Sequence, residues 1–391
     1  MGTVIGVGHR SRISRSRISC SRIQNFTRGA TIAVVAVLAT LGLPTGLLSQ
    51  QPADDSPAAE QLDTEQLDTE QWDAEQLDAE GWDAVELIEL PPRRDVWSAL
   101  QTRHMLGEIQ SFESAQLVLV DREGATHALP SQYVLRVQPR WRTEEAAQAH
   151  QLFQAEKFYQ LVKAVPTALE SNLVQWQQRM LIAELVQAVE GLGKPQAAGA
   201  YFLTLAGSQP PPLLYAAMPL CWTSRDPDQA LRDGARQWLQ RTDDDPARLL
   251  GASWLLFTDQ QPAAESAITQ LQASANPVIA QLAVAQGWRL IPPPQTMAEL
   301  ARWLEFRDKL LPPLQLGPTE FIADRLQRIG ELDLAIGEWS RIGSQHSDQP
   351  LRARAALSRA AEQLKRLGRD DDAQRFETWM NELGAAGDGS K

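Results

Sequence analysis

The chain has 391 residues, with 49 acidic against 37 basic side chains and a formal net charge of -12, a length that accommodates two or three domains. The charge is unevenly placed: residues 1–53 carry six arginines and no acid, residues 54–90 carry fourteen acids and no base, and the remaining 35 acids and 31 bases nearly balance. A near-neutral body excludes the basic field that nucleic-acid binding requires, and its apolar share is that of a globular protein.

Arg10, Arg12, Arg15, Arg17, Arg22 and Arg28 precede an uncharged apolar run at 30–48. A basic head followed by an apolar run is the order of a secretory signal or signal anchor. At roughly 1.5 Å per helical residue the run is about long enough to span a bilayer. Gly42, Pro44 and Gly46 break its second half, and Ser49 and Ala53 are small residues placed for cleavage. Because basic flanks stay in the cytoplasm, residues 1–29 read as a cytoplasmic n-region and 30–50 as a signal peptide or anchor. The remainder is then extracytoplasmic, in a periplasm or cell envelope, and either secreted or held to the membrane through this N-terminal segment. The competing reading, an Arg-rich head for nucleic acid, leaves the apolar run unexplained. With Cys20 in the head, Cys221 is the body's one cysteine and no disulfide forms within it. Set in Leu220-Cys221-Trp222, it reads as a buried structural thiol.

Residues 60–84 are five copies of a pentapeptide whose apolar positions are Leu62, Leu67, Trp72, Leu77 and Trp82. A step of five gathers on no single helix face and alternates faces on a strand, so neither element buries the set. Residues 51–92 therefore read as a disordered acidic linker. A partner-docking tract with Leu/Trp anchors is the functional alternative, and the acids lack the spacing of a calcium loop.

After Pro91-Pro92 the pattern changes to short apolar runs at 96–101, 105–112, 115–121, 126–129 and 132–138, with turns at 121–124 and 130–131. These predict a small β module of SH3-like size over 93–140, too small to be stable alone and packed on the first helices. His104 and His127 fall here without metal-spaced partners, so no metal is expected.

Glu144 opens a helical array over 141–384, followed by a tail at 385–391. Three sites repeat a turn glycine with an alanine five residues on: Gly193 with Ala198, Gly330 with Ala335, and Gly368 with Ala373. Glycine suits the left-handed residue that closes a helix, and the alanine lets the next helix pack closely. Weaker copies are Glu156 with Leu161, Arg225 with Ala230, Asp259 with Ala264, and Pro293 with Ala298. The turns are spaced by 37, 32, 34, 34, 37 and 38 residues, about seven helix-turn-helix units. Pro210–Pro212, Pro292–Pro294 and Pro312-Pro313 fall between helices as loops.

At these positions the chain resembles the tetratricopeptide repeat family. Ala252, Ala323 and Ala361 stand seven before their turns, where that family has a small residue, and Phe202 and Trp339 stand nine after, where it has an aromatic. The resemblance covers about 240 residues and implies a right-handed α-solenoid whose concave groove binds a peptide. The fold class is thus mainly α, with the β module and acidic linker ahead of the array.

The tryptophans of the array either fill gaps between helices or line the groove as anchors. Trp303 and Trp339 are the candidate anchors. Arg302, Arg325 and Lys157 are the candidate clamps for a peptide carboxylate, as the family resemblance implies. No nucleophile elbow, phosphate loop, His-Glu-x-x-His or dinucleotide fingerprint is present; His150, Glu156 and Tyr159 either face one another on a helix pair or are a chance grouping in a charged helix. The expected function is a non-catalytic scaffold binding a protein or peptide partner, without cofactor or nucleic acid. The alternative is an enzyme or accessory subunit with a site where the β module meets the first hairpins, near His104, His127 and His150.

Overall fold

The computed structural model describes residues 81–88, 102–223, 226–292, 297–346 and 349–385; the basic head, the apolar run and the pentapeptides up to residue 80 lie outside the described residues. The first elements are strands: β1 (Asp83–Ile88), β2 (Thr102–Phe112), β3 (Gln116–Asp121), β4 (Thr126–Pro130) and β5 (Val134–Gln138). They form one antiparallel sheet in the order β4-β3-β2-β1-β5, with a 3-10 turn at Ser131–Tyr133 ahead of β5.

One strand lies where sequence reasoning placed the linker. Residues 83–88 form β1, between β2 and β5, while 96–101 lies outside the described residues. Three acids in 83–89 made this stretch look like a continuation of the solvated tract. The structure accommodates the first of them internally: buried Asp83 accepts from the backbone N–H of Ile109 at 2.8 Å and of Arg140 at 2.6 Å. That satisfaction makes a carboxyl tolerable at the start of a core strand.

The strand side chains Val85, Leu87, Ile109, Phe112, Leu117, Leu119, Leu129, Val134 and Val137 form a core that Trp176 of the helical part completes. The Trp176 indole N–H also donates to the Ile109 carbonyl at 3.2 Å. The sheet is therefore finished by a helix of the array, as its small size requires.

The helices that follow are α1 (Glu144–Gln154), α2 (Phe158–Glu170), α3 (Gln175–Gly191), α4 (Pro195–Ala206), α5 (Gln229–Leu239), α6 (Asp245–Leu255), α7 (Gln261–Leu271), α8 (Pro277–Gly287), α9 (Met297–Lys309), α10 (Leu316–Arg328), α11 (Leu332–Gln345), α12 (Pro350–Arg366) and α13 (Asp370–Ala385). Neighbours in sequence pack against each other through most of the series, the helix-hairpin pattern of a repeat solenoid. The protein is mainly α with a small antiparallel sheet. No helix among the described residues is long and apolar enough to cross a membrane.

The turn template holds at four of its copies. Gly193, Gly330 and Gly368 take φ values of 72°, 87° and 72°, and Glu156 takes the same left-handed region at 53°. Each closes its helix in one way: the turn N–H bonds the carbonyl three back, and the next N–H bonds the carbonyl five back from itself, as in Gly193 to Glu190 and Lys194 to Val189. The paired alanines Ala198, Ala335 and Ala373 are fully buried. A Cβ on Gly330 would meet nothing within 4 Å, so only backbone strain opposes one. Gly330→Ala should lower stability by about 1 kcal/mol, read as a small fall in the urea midpoint.

The template departs at its third copy, where residues 224 and 225 lie outside the described residues. In place of the helix expected ahead of Arg225, the chain makes a 3-10 turn (Pro212–Ala217) and then an extended run at 218–223. Interior backbone outside a helix needs partners, and neighbouring side chains supply them. Ser253 Oγ accepts from the Cys221 N–H at 2.8 Å, Gln286 donates to the Cys221 carbonyl at 3.2 Å, and Trp254 Nε1 donates to the Pro219 carbonyl at 2.9 Å. Arg289 donates to the carbonyls of Thr223 at 3.0 Å and Ser253 at 2.7 Å.

Candidate functional site

A cavity of about 260 Å³ lies beside that extended run. It is walled by segments far apart in sequence: the α1–α2 turn, the end of α3, residues 220–223, the end of α6, and the starts of α10 and α12. The start of α12 is what closes it. Leu351 and Phe158 both pack on Gly191, and Arg354 pairs with Glu156 in the α1–α2 turn. Across the cavity the Trp222 indole sits directly on Gly317 of α10, where a Cβ would come within 2.0 Å of Nε1.

The lining has two characters. Phe153, Phe158, Trp222 and Trp254 contribute aromatic surface. Glu190, Glu320 and Arg352 contribute charge, and two of these three are committed to each other: Arg352 grips Glu320 in a two-pronged bond, Nε to Oε1 at 2.9 Å and Nη2 to Oε2 at 2.5 Å. The Glu190 carboxyl makes no hydrogen bond to a described residue. Burial, opposed by the Arg352 charge and reinforced by Glu320, pushes it up to about 7.

His346, just ahead of α12, is perturbed in the other direction. Burial and the charges of Arg352, Arg341 and Arg136 push its imidazole down to about 3. The two groups bend stability with pH in opposite senses. The folded chain holds the Glu190 proton that the unfolded chain releases near 4.5, so that contribution is complete below 4.5 and lost as pH rises through 7. The folded chain rejects a proton on His346 that the unfolded chain accepts near 6.5, so that contribution is complete above 6.5 and lost as pH falls toward 3. Together they give a plateau between about 4.5 and 6.5. Glu190→Gln should raise the melting temperature at pH 8 by about 5 °C, from at most about 3 kcal/mol, with a much smaller shift at pH 5. Thermal melts at the two pH values check it.

The residues expected to bind ligand stand elsewhere. Trp339 is fully buried and Trp303 nearly so, stacked on Trp288 with centroids 5.4 Å apart and planes at 7°. Both are interior, filling gaps between helices. Arg325 lies over the Phe321 ring with its guanidinium 4.9 Å from the centroid, while Arg302 and Lys157 are exposed on separate elements, α9 and the start of α2. None of the five lines the cavity. The sequence pointed to Cys221 and Trp222 as an apolar pair, and both line the cavity wall. The Cys221 thiol donates to the Thr223 carbonyl at 3.1 Å and receives Arg289 Nη2 at 3.5 Å, a satisfied buried thiol. Nothing in the sequence signalled Glu190, Glu320 or Arg352, because only the return of α12 brings them together.

A second cavity, of about 560 Å³, lies where the β module meets α1, lined by Trp82, Asp83, Glu108, Arg140, Trp141 and Arg142 among others. Its carboxylates are engaged: Asp83 by two backbone N–H groups, and Glu108 by Arg142 at 3.0 Å on the surface. The histidines of this region do not line it. His127 pairs with Asp121 at 2.6 Å, His150 pairs with Glu184 at 2.6 Å and packs on Trp141, and His104 lies on the exposed face of β2. His150, Glu156 and Tyr159 also diverge, with Glu156 on Arg354 and Tyr159 exposed under Lys163. Among the described residues no group of three or more His, Cys, Asp or Glu is placed to hold a metal.

Compared with protein-family models, with curated proteins and with solved structures, the chain matches none.

Proposed function

We propose that this chain is a non-catalytic binding protein that works outside the cytoplasm and takes a peptide or protein partner on its helical array. In this reading the array is a right-handed solenoid of about seven tetratricopeptide-like hairpins, with an SH3-like module docked at its start as a second contact surface. The strand order, with a 3-10 turn ahead of the last strand, supports the SH3-like comparison. The arginines ahead of the apolar run at 30–48 support export or membrane anchoring.

The observation that carries the proposal is the cavity. It draws its walls from separated parts of the array and joins aromatic surface to charge, and its one thiol, Cys221, is held by the Thr223 carbonyl and Arg289. A concave, mostly preformed site with a few convergent polar groups is the form of a binding pocket. Its volume, roughly nine waters at about 30 Å³ each, suits one anchoring side chain of a larger partner. The junction cavity, with its carboxylates Asp83 and Glu108 already engaged, gives the enzyme alternative no comparable support.

The test is a random peptide display selection on the full chain, counter-screened on Ala216→Trp. Ala216 is a partly exposed lining residue, so a larger ring there fills the space. Peptides enriched on the parent and lost on the filled variant support the proposal. A selection that yields no cavity-dependent binder overturns it.

A further inference from the structure

Resting on the binding reading above, we infer that the cavity recognises a lysine or arginine side chain of the partner, with Glu190 as the counter-charge and the aromatic walls holding the alkyl stem. The inference starts from charge. With Glu190 ionised, the lining carries two carboxylates, Glu190 and Glu320, against the single guanidinium of Arg352. Arg352 already gives two of its five N–H donors, and its fork geometry, to Glu320. An incoming anion would therefore meet two carboxylates, Glu190 and Glu320, against that one guanidinium.

A half-buried carboxylate with no hydrogen-bond donor beside it is costly, and two things relieve it: a proton or a cation. The empty cavity uses the proton, which is why the group titrates so far above an ordinary glutamate. A ligand cation replaces that proton and adds attraction to the aromatic faces of Phe153, Phe158, Trp222 and Trp254. Lysine and arginine also bring apolar stems that such walls cover. The room available takes one such side chain, leaving the peptide backbone outside the cavity.

Replacement of a proton makes the affinity depend on pH. The other charged or titratable groups facing Glu190 are Glu320 of α10 and Arg352 of α12, paired with each other, and the Cys221 thiol of the extended run. His346, near Arg352, stays neutral across the neutral range. Affinity for a lysine peptide should rise about tenfold from pH 6 to pH 8, as Glu190 passes from mostly protonated to mostly ionised.

The experiment uses the full chain and four random hexapeptide libraries whose central residue is fixed as lysine, arginine, norleucine or glutamate. The chains compared are the parent, Glu190→Gln and Ala216→Trp. Glu190→Gln keeps the side chain's size and removes its charge, and a thermal melt alongside shows that loss of binding there is not loss of structure. Expected is an enrichment of the lysine and arginine libraries about tenfold over norleucine on the parent. That preference should shrink to within about twofold on Glu190→Gln, and no library should bind Ala216→Trp. The pH rise should be present in the parent and flat in Glu190→Gln. Norleucine or glutamate peptides that bind through the cavity as well as the basic ones overturn this inference and leave the binding function standing. A parent whose lysine-peptide affinity is flat from pH 6 to pH 8 overturns it too. No cavity-dependent binder in any library overturns the binding reading itself. Binding of n-butylammonium alone, without peptide enrichment, overturns the peptide side chain as the source and puts a free amine in its place.

Discussion

Arg179→Ala should cost about 4 kcal/mol, the largest loss expected here from truncating a single buried polar side chain. Arg179 lies on α3 and is almost wholly buried between the sheet and the array. Its Nη1 donates to the Phe112 carbonyl at 3.1 Å and to Glu113 at 2.7 Å, its Nη2 to the Ser208 carbonyl at 2.6 Å, and its Nε to Ser208 Oγ at 3.1 Å. Truncation strands two main-chain acceptors and empties the space the side chain filled. Arg179→Lys should recover less than half, since an ammonium cannot span the same fork. Glu113→Ala is the control: its side chain is 44% exposed, and a screened partner of that kind contributes under about 1 kcal/mol. Urea unfolding ranks the three. Hydrogen exchange should show β1–β5 losing protection first in Arg179→Ala, because the sheet borrows Trp176 from α3 for its core.

Gly251→Ala is the second large effect, at about 3 kcal/mol or more. A Cβ at this position of α6 would lie 2.5 Å from the Ala235 carbonyl oxygen and 2.6 Å from the Leu239 nitrogen, both main-chain atoms of α5. No rotamer relieves such a contact; the two helices must separate. Gly337→Ala should do the opposite. Gly337 is an exposed position inside α11 with nothing within 4 Å of an added Cβ, so it should gain about 0.5–1 kcal/mol from helix propensity. Opposite signs for two helical glycines, read from shifts in the urea midpoint, would confirm that helix contact rather than residue type decides.

Both effects bear on what the amino-acid order could reveal. The turns at Gly193, Gly330 and Gly368 were legible because left-handed backbone selects glycine and close packing selects the alanine after it, both local requirements. Four of the strands were legible from short apolar runs bounded by turn residues. β1 was not, because its stabilisation comes from backbone donors of Ile109 and Arg140, residues remote from Asp83 in the chain. The array's third copy looked regular at Ala230, yet the helix before it is missing; the proline tract at 210–212 marked a loop without saying that the chain would run extended into the interior. Trp303 and Trp339 illustrate a further limit. An aromatic at repeat spacing satisfies a core and a groove equally well, and only the packing shows that both are core. The Glu190–Arg352–Glu320 cluster was invisible for a simpler reason: no periodicity links those positions, and they meet only because the chain comes back on itself.

That return, with Leu351 on Gly191 and Arg354 on Glu156, changes how the molecule can grow and come apart. An open stack of hairpins tolerates gain or loss of a unit, since each touches only its neighbours and an end can fray alone. Here an added hairpin between α4 and α12 would carry the start of α12 past Gly191 and open the cavity wall. The number of hairpins between those elements is thereby locked, and melting should proceed as one event for α1 through α12 instead of peeling from the far end.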